Sequence, residues 1–326
     1  MSGLSDSYQR PIDYLRVSVT DRCNMRCVYC VPPEGICCLP RKDILSYEEI
    51  HTVVEMAAGM GITKVRLSGG EPLVRLGVVD LVRMLSRIQL IDDLSLSTNG
   101  VFLSKFAGEL KEAGLKRVNV SLDTLRSDRF KAITRHDGLA QVLQGLEAAR
   151  EVGLNPVKVN VVVMRGINDD ELPDFARKSI EDGWHVRFIE LMPFTAVSAD
   201  APQFIGVPEI KERLERVGAL EPVAFFKGNG PAKYFRFART MGTIGFISPV
   251  TEHFCFGCNR LRLTADGKLR PCLLADDELD LRAALRGGAP GKLEQLIQEA
   301  VARKPRQHGL AQGKKPRQRP MAHIGG

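Results

Sequence analysis

Short apolar, β-branched runs alternate with amphipathic stretches along the first two thirds of the chain. The apolar runs have the length of single strands, and the stretches between them repeat apolar residues at helical spacing. Several stretches end in a glycine that can stop a helix, as at Gly61, Gly114 and Gly153. Repeated strand–helix units are typical of a parallel sheet. Six units predict an open, partial barrel, with strands at 14–19, 64–68, 94–97, 117–121, 157–163 and 186–191 and helices near 46–60, 76–88, 104–114, 127–152 and 169–182.

The pattern changes after about residue 225. Short strand-like segments at 234–238 and 243–248 precede a cysteine-bearing loop and two helical runs at 278–287 and 291–303. We interpret this part as a smaller lobe packed on the mouth of the barrel.

The end of the chain lacks any periodicity. It is rich in Lys, Arg, Gln, Pro and Gly, which predicts an extended tail. We therefore predict an α/β fold with three parts: a partial (βα)6 TIM-like barrel over 1–225, a small α+β C-terminal lobe over 226–303, and a basic tail over 304–326.

The charge balance narrows the classes of partner. The 326 residues include 46 Lys and Arg against 39 Asp and Glu, a net charge of +7 with the basic excess concentrated near the C-terminus. Such a balance favours polyanions, either nucleoside triphosphates or nucleic acid. No apolar run approaches the roughly 20 residues that cross a bilayer, and the N-terminus lacks the pattern of a secretory signal. We expect a cytoplasmic protein without a membrane segment.

Three of the eight cysteines follow the first predicted strand on one short loop. They are Cys23, Cys27 and Cys30, in the run Asp21-Arg-Cys-Asn-Met-Arg-Cys-Val-Tyr-Cys. In the cytoplasm clustered thiols bind metal more often than they form disulfides. Three thiolates can hold three irons of a [4Fe–4S] cluster and leave the fourth iron open to a small molecule with an amine and a carboxylate. A structural zinc site needs a fourth ligand, which this loop lacks nearby.

A glycine-rich turn follows the second predicted strand, in Ser68-Gly-Gly-Glu-Pro72. Glycines at the end of a strand let a ligand approach the backbone closely, and Glu71 can fix the local loop. Gly-Gly-Glu alone is a common turn. After the cysteine loop, it supports a ligand site.

A second set of three cysteines lies near the C-terminus. Cys255, Cys258 and Cys272 are spaced C-x2-C-x13-C, and no further cysteine follows. Two interpretations stay open. With His253 as fourth ligand the set is a zinc site, and without it the set can hold a second [4Fe–4S] cluster whose open iron binds substrate.

Two arginines stand directly after the second of these cysteines. If this segment is extended, Arg260 and Arg262 point to the same side of it because they alternate along the strand. Beside a cluster they can pair with phosphate or steer electron density. We therefore predict catalytic and binding roles for both.

The spacing C-x3-C-x2-C, with an aromatic residue before the last cysteine, resembles the defining motif of the radical S-adenosylmethionine superfamily. The Gly-Gly-Glu turn resembles the motif that this superfamily uses for the methionine amino group. The resemblance implies that one electron from the reduced cluster cleaves the sulfonium. The resulting 5′-deoxyadenosyl radical then takes a hydrogen from a substrate in the barrel.

The C-terminal motif Cys-x2-Cys-Asn-Arg-Leu-Arg, Cys272 and the terminal Gly325-Gly326 make the resemblance more specific. With the N-terminal motif they are similar to the molybdenum cofactor biosynthesis protein A family of GTP 3′,8-cyclases, over essentially the whole chain. The resemblance implies two [4Fe–4S] clusters and S-adenosyl-L-methionine. It also implies a radical lyase that converts GTP to (8S)-3′,8-cyclo-7,8-dihydroguanosine 5′-triphosphate, the first step of molybdenum cofactor (molybdopterin) biosynthesis. The second cluster would hold the guanine ring through its open iron.

The same resemblance implies roles for single residues. The first cluster is ligated by Cys23, Cys27 and Cys30, and the second by Cys255, Cys258 and Cys272. The contacts to S-adenosylmethionine are Tyr29, Gly70, Ser121 and Met192. The contacts to GTP are Arg16, Arg66, Thr98, Lys158, Arg260 and Arg262. The residues with catalytic roles are Arg187, Arg260 and Arg262.

The resemblance further implies partners beyond GTP. These are a reducing electron donor and a hand-off of product to cyclic pyranopterin monophosphate synthase, with a homodimer left open and no nucleic acid expected. The tail residues Gly325 and Gly326 would enter the active site. Cys37 and Cys38 belong to neither motif, and we interpret them as incidental.

Two alternatives remain at this stage. Another enzyme of the superfamily, acting on a peptide or tRNA, would share the N-terminal half. A zinc-bearing nucleic-acid module would explain the charge and the second cysteine set, but it would leave the first cysteine loop and the Gly-Gly-Glu turn unexplained.

Overall fold

Parallel strands and the helices between them form the frame of the protein. The computed structural model describes residues 3–32, 34–193, 202–224, 230–288, 291–314, 316 and 319–325. The strands in this part are β1 Tyr14–Ser18, β2 Lys64–Ser68, β3 Asp93–Thr98, β4 Arg117–Ser121, β5 Lys158–Val163, β6 His185–Glu190, β7 Leu220–Pro222, β8 Lys233–Phe237, β9 Thr243–Ile247, β10 Arg260–Leu263, β11 Lys268–Arg270 and β12 Leu279–Asp280. The α-helices are α1 Tyr47–Gly59, α2 Val78–Ser86, α3 Leu103–Glu112, α4 Ser127–Thr134, α5 Leu139–Glu151, α6 Leu172–Glu181, α7 Val207–Glu215, α8 Leu281–Gly287, α9 Lys292–Ala302 and α10 Met321–Ile324.

All of these strands belong to one open sheet. Their order is β12-β11-β10-β1-β2-β3-β4-β5-β6-β9-β8-β7. β1 to β6 are parallel neighbours in chain order, and at least one helix lies between each consecutive pair. Because β12 and β7 lie at opposite edges, the barrel does not close. The predicted partial (βα)6 barrel is confirmed.

The core lies between the sheet and its helices. Strand residues such as Val65, Leu96 and Val118 are fully buried against the helices, as are Leu81 and Leu110 on the helices themselves. Each of β1 to β6 lies within about one residue of its predicted position, because apolar runs of strand length are buried on both faces in a parallel sheet. In the part of the chain that the structure describes, no helix is long and apolar enough to span a membrane.

The strands after residue 225 extend the barrel sheet itself. β9 pairs in parallel with β6 at one edge, and β10 pairs in parallel with β1 at the other. β8 and β11 continue each edge in antiparallel fashion. The predicted division into barrel and lobe stays a prediction, but the two parts share one sheet. The second cysteine set flanks β10, and β10 pairs directly with the first strand of the barrel.

The single helix predicted over 127–152 is wrong. α4 ends before Arg135, whose φ of 54° is left-handed, and α5 begins after Gly138. The hydroxyl of Thr134 donates to the carbonyl of Phe130 at 2.7 Å and so closes the last turn of α4. Periodicity alone did not reveal this break because apolar residues continue at helical spacing across it.

The extended tail predicted from residue 304 onward is also wrong for the residues described. Lys304, His308 and Ile324 are buried, and the chain ends in the short helix α10. Arg319 holds this segment through ion pairs to Asp266 and Glu278. The basic composition predicted a solvated tail, whereas the acidic partners of Arg319 lie 41 and 53 residues earlier in the chain.

Candidate active site

One cavity of about 320 Å³ opens at the carboxyl ends of the barrel strands. Both cysteine sets line it, although more than 200 residues separate them in sequence. This is the edge of a parallel sheet where ligands bind in barrels of this kind. The cavity therefore joins the two predicted metal sites into a single candidate active site.

The first cysteine loop follows β1 and docks on the end of α4. The amides of Arg26 and Val28 donate to the carbonyls of Thr134 and Ile133 at 2.9 and 3.0 Å. This backbone pairing fixes the loop between its ligands.

The thiols of this loop are free and line the cavity. Burial raises the pKa of Cys23 to about 11 and that of Cys30 to about 12. Such thiols ionise only when a positive charge is bound to them, and a soft thiolate set fits the irons of a cluster. The donor set therefore fits the predicted first cluster.

The Gly-Gly-Glu turn packs directly on the cysteine loop. The amides of Gly70 and Glu71 donate to the carbonyls of Thr20 and Arg22 at 2.7 and 2.8 Å. A Cβ on Gly70 would lie 2.3 Å from the carbonyl oxygen of Arg22, so this close approach requires glycine.

Glu71 fixes the same turn from inside the barrel. Its carboxylate accepts hydrogen bonds from the amides of Leu73 and Asn99 and from the hydroxyl of Thr98. Burial raises the pKa of Glu71 to about 7. The predicted role of Glu71 in holding the loop agrees with these contacts.

Two residues beside the first cysteine loop were missed at the sequence level. Asp123 accepts a 2.7 Å hydrogen bond from the hydroxyl of Tyr29 and a 2.8 Å bond from the amide of Val162. Asn99 donates to Asn24 at 2.8 Å. Both lie just after the end of a strand, at the cavity edge of the sheet, and that position was the available signal.

Three arginines form a row across neighbouring strands. Arg262 on β10 is opposite Arg16 on β1, which is opposite Arg66 on β2. Burial, followed by repulsion from other arginines, lowers the pKa of Arg16 well below its usual value, and burial lowers the pKa of Arg66 and Arg262 to about 10. Their hydrogen bonds go to neutral groups, namely the hydroxyls of Ser68 and Ser95 and the carbonyl of Gly325. Such a row favours a bound polyanion.

The second cysteine set lies across the cavity from the first. Arg260 places a guanidinium nitrogen 3.9 Å from the sulfur of Cys258 and lies over the ring of Phe254 at 4.9 Å. Burial acts to raise the pKa of Cys258, but the charges of Arg260 and Lys304 outweigh it and lower that pKa to about 6. Fixed positive charge thus favours the thiolate form of Cys258, whereas burial raises the pKa of Cys255.

The zinc interpretation of this second set requires His253 as the fourth ligand. His253 stacks near Phe256 and His308, with ring centres 5.4 Å apart in each case. Across the described ranges, no three or more His, Cys, Asp or Glu side chains are arranged to hold a metal ion. The ligands of a cubane cluster bind separate irons, so a thiol set need not converge on one point to hold it.

Most of the other predicted site residues meet at the same cavity. Tyr29, Ser121, Met192 and Arg187 line it, and Arg187 is buried with no hydrogen-bond partner found for its Nε. Thr98 also lines it, but its hydroxyl proton is donated to Glu71.

Lys158, the first residue of β5, is buried. Its ammonium is 5.6 Å from the ring centre of Tyr234, and burial, with the charges of Arg187 and Arg117, lowers its pKa to about 5. Among the described residues that line the cavity Lys158 does not occur. Its contact with GTP stays a prediction.

The C-terminal segment reaches into this site. Gly325 has a φ of 78°, and a Cβ there would lie 2.8 Å from the hydroxyl of Ser68. Its carbonyl accepts a 2.9 Å hydrogen bond from Arg262. Gly326 lies outside the described residues. Cys37 and Cys38 are exposed and do not line the cavity formed by the described residues.

Comparison with known proteins adds two family models and close relatives. A model described as the Radical SAM superfamily matches residues 17–178, and one described as Molybdenum Cofactor Synthesis C matches residues 184–310. The GTP 3′,8-cyclase of Moorella thermoacetica is 51% identical over 325 residues, covering 99% of this chain and 100% of the relative. That of Thermodesulfovibrio yellowstonii is 51% identical over 326 residues, with the same coverage of both chains.

Solved structures share the fold at low identity. A crystal structure of Streptococcus suis SuiB superposes with a TM-score of 0.63 at 13% identity, covering 94% of this chain and 69% of SuiB. The structure of SuiB bound to S-adenosylmethionine gives a TM-score of 0.61 at 13% identity, covering 88% and 67%. At this identity the likeness establishes the fold.

Proposed function

Since this chain belongs to the GTP 3′,8-cyclase family, we propose that it converts GTP to (8S)-3′,8-cyclo-7,8-dihydroguanosine 5′-triphosphate in the first step of molybdenum cofactor biosynthesis. It is a radical S-adenosylmethionine enzyme of the lyase type, with an iron–sulfur cluster and S-adenosylmethionine as cofactors. The observation that carries the proposal is the single cavity that joins both cysteine sets to a row of buried arginines.

We assign the first cysteine set and its surroundings to S-adenosylmethionine. Cys23, Cys27 and Cys30 would hold the first [4Fe–4S] cluster. The cofactor contacts would be Tyr29, Gly70, Ser121 and Met192, all of which line the cavity. When bound, the cluster supplies the electron that cleaves the sulfonium of S-adenosylmethionine.

We assign the second cysteine set and the arginines to GTP. Cys255, Cys258 and Cys272 would hold a second [4Fe–4S] cluster, as their soft donor atoms suit it. Arg16, Arg66 and Arg262 lie in register on adjacent strands, which suits the spread charge of a triphosphate. Thr98 and Lys158 complete the proposed set of GTP contacts. Thr98 would act as an acceptor because its proton is already donated.

The protein's own task in this reaction is to position and to shield. Arg260 beside Cys258 and Arg187 near the adenosyl end would hold the substrate between the two cysteine sets. Gly325 accepts the hydrogen bond of Arg262, and its lack of a side chain allows the close approach to Ser68. The sheet, the two cysteine loops and α10 all contribute to the cavity wall, which would limit the access of water to the reacting carbon.

The proposed partners are an electron donor, which the chemistry requires, and those that the family resemblance implies. Cleavage of the sulfonium consumes one electron, so a reducing electron donor is required. The cyclised nucleotide would pass to cyclic pyranopterin monophosphate synthase, and a homodimer is compatible with this scheme.

Anaerobic reconstitution tests the proposal. We expect about eight irons per chain, as two four-iron clusters contain, and 5′-deoxyadenosine formed only with GTP present, together with a cyclised nucleotide. About four irons with one zinc, and cleavage of S-adenosylmethionine that GTP does not change, would remove the second cluster and reopen the question of the substrate.

A further inference from the structure

Lys304 joins the two chain segments that carry the second cysteine set. The side chain is 3% exposed, and its Nζ donates to the carbonyls of Arg260 at 2.7 Å and Pro271 at 2.8 Å. Arg260 follows Cys258 by two residues, and Pro271 directly precedes Cys272. One ammonium therefore fixes the separation of two ligand-bearing segments.

Both carbonyl contacts of this ammonium lie close to ligand cysteines. Arg260 is two residues from Cys258, and Pro271 is the neighbour of Cys272. Because an ammonium has three N–H donors, these two carbonyls use two of them. The lysine thus contacts the backbone beside a ligand on each segment.

The ammonium of Lys304 is a buried charge whose two carbonyl contacts are neutral groups. Burying an ammonium is costly unless an opposite charge lies close by. The thiolates of the second set provide that charge.

The segment that follows Lys304 is held beside Cys255, the remaining cysteine of the second set. Arg10 donates to the carbonyls of Cys255 at 2.6 Å, Pro305 at 2.7 Å and Arg306 at 3.0 Å. His308 lines the cavity together with Cys255. Residues 304–308 are therefore held beside the second cysteine set.

We propose that Lys304 is a positioning residue of the second metal site, which holds the segments of Cys258 and Cys272 together and raises the reduction potential of the cluster bound there. The potential rises because a fixed positive charge near the cluster favours its reduced, more negative form. The inference rests on the proposed function insofar as the second site binds a four-iron cluster.

The test isolates the second site in the full-length chain. In the C23A/C27A/C30A background, anaerobic reconstitution should load about four irons per chain. Adding Lys304→Met should at least halve this iron content and shift the midpoint potential of the remaining cluster to a more negative value. Lys304→Arg keeps the positive charge and can still donate to the two carbonyls. It should therefore give the iron content and midpoint potential of the chain with Lys304. The readouts are iron and sulfide content and a redox titration followed by electron paramagnetic resonance.

Lys268→Met is the matched control, because Lys268 lies on the adjacent strand β11 and pairs with Asp280 away from the cysteines. It should change neither iron content nor potential. Unchanged iron and potential in Lys304→Met would overturn the inference, as would a loss in Lys304→Arg equal to that in Lys304→Met. These readouts need neither GTP nor S-adenosylmethionine. Zinc in place of iron in the background chain would instead count against the proposed function, and Lys304 would then be judged by the zinc content of its variants.

Discussion

The two cysteine sites are built in opposite ways. The first draws its three thiols from eight consecutive residues, and backbone bonds to α4 and the Gly-Gly-Glu turn hold that loop. The second draws its thiols from both sides of β10 and depends on side chains from the chain ends, Arg10 and Lys304. A local site can be recognised from spacing, whereas a site assembled by distant side chains has supporting residues that spacing does not reveal.

Replacing one cysteine ligand in each site should give the largest effect and tests whether each site holds its own cluster. Cys27→Ala and Cys258→Ala should each reduce turnover to below detection, because either change opens a cluster position. Each should lower the iron content from about eight to about four per chain. Cys37→Ser, at an exposed cysteine outside the cavity, is the control and should keep full iron and activity. Normal GTP conversion by Cys258→Ala would disprove the two-cluster scheme.

The thiols themselves should differ in the metal-free protein. The pKa of Cys258 lies at about 6, because Arg260 and Lys304 outweigh the effect of burial, whereas burial raises that of Cys23 to about 11. Cys258 is therefore a thiolate above about pH 6, and Cys23 stays a thiol until far higher pH. At pH 7 iodoacetamide should modify Cys258 about 100-fold faster or more, as followed by peptide mass spectrometry. Equal rates would show that the two sites share one electrostatic environment.

The C-terminal segment lies between the two sites, and Arg319 is its anchor. Arg319 pairs with Asp266 at 2.9 Å and with Glu278 at 2.7 Å. Ile324 packs beside Leu274, and Ala322 lines the cavity with Cys30. Arg319→Gln should loosen the segment by about 1.5–3 kcal/mol, the range for hydrogen bonds to charged groups, and so lower kcat by about 10- to 150-fold.

Hydrogen exchange distinguishes this from a general loss of stability. Amides 321–325 should exchange faster in Arg319→Gln, while those of β1 to β6 stay protected. Arg303→Gln removes comparable but more exposed ion pairs to Asp277 and Glu299 and should leave both exchange and kcat unchanged. Wild-type protection of 321–325 in Arg319→Gln would contradict the anchoring role.

The smallest expected effect concerns the first site alone. Tyr29→Phe removes the 2.7 Å hydrogen bond to Asp123, worth about 1 kcal/mol. We expect the KM for S-adenosylmethionine to rise about 5-fold, with the KM for GTP unchanged. Tyr47→Phe loses a similar bond to the carbonyl of Leu76 on the surface and should alter neither constant. A shift in the KM for GTP would mean that the two ends of the cavity are coupled through Tyr29.

Much of the fold could be predicted because it rests on local signals. The strand positions followed from short apolar runs that a parallel sheet buries on both faces. The break between α4 and α5 could not be predicted, because apolar residues continue at helical spacing across Arg135. The continuity of β9 and β10 with the barrel was likewise hidden, since pairing between strands distant in sequence leaves no periodic trace.

The sequence by itself identified three groups of candidate site residues: the six cysteines, the glycines of the turn at 69–70 and the arginines at alternating positions of β10. Each group can be recognised from residue type and spacing over a few neighbours. Tertiary structure alone decided that Arg262, Arg16 and Arg66 form one row, that Asp123 holds Tyr29, and that Lys304 lies in the second site. Those contacts join residues that lie from 33 to 246 positions apart. Their physical basis is the low polarity of the protein interior, where a buried charge must find its partner wherever the chain brings one.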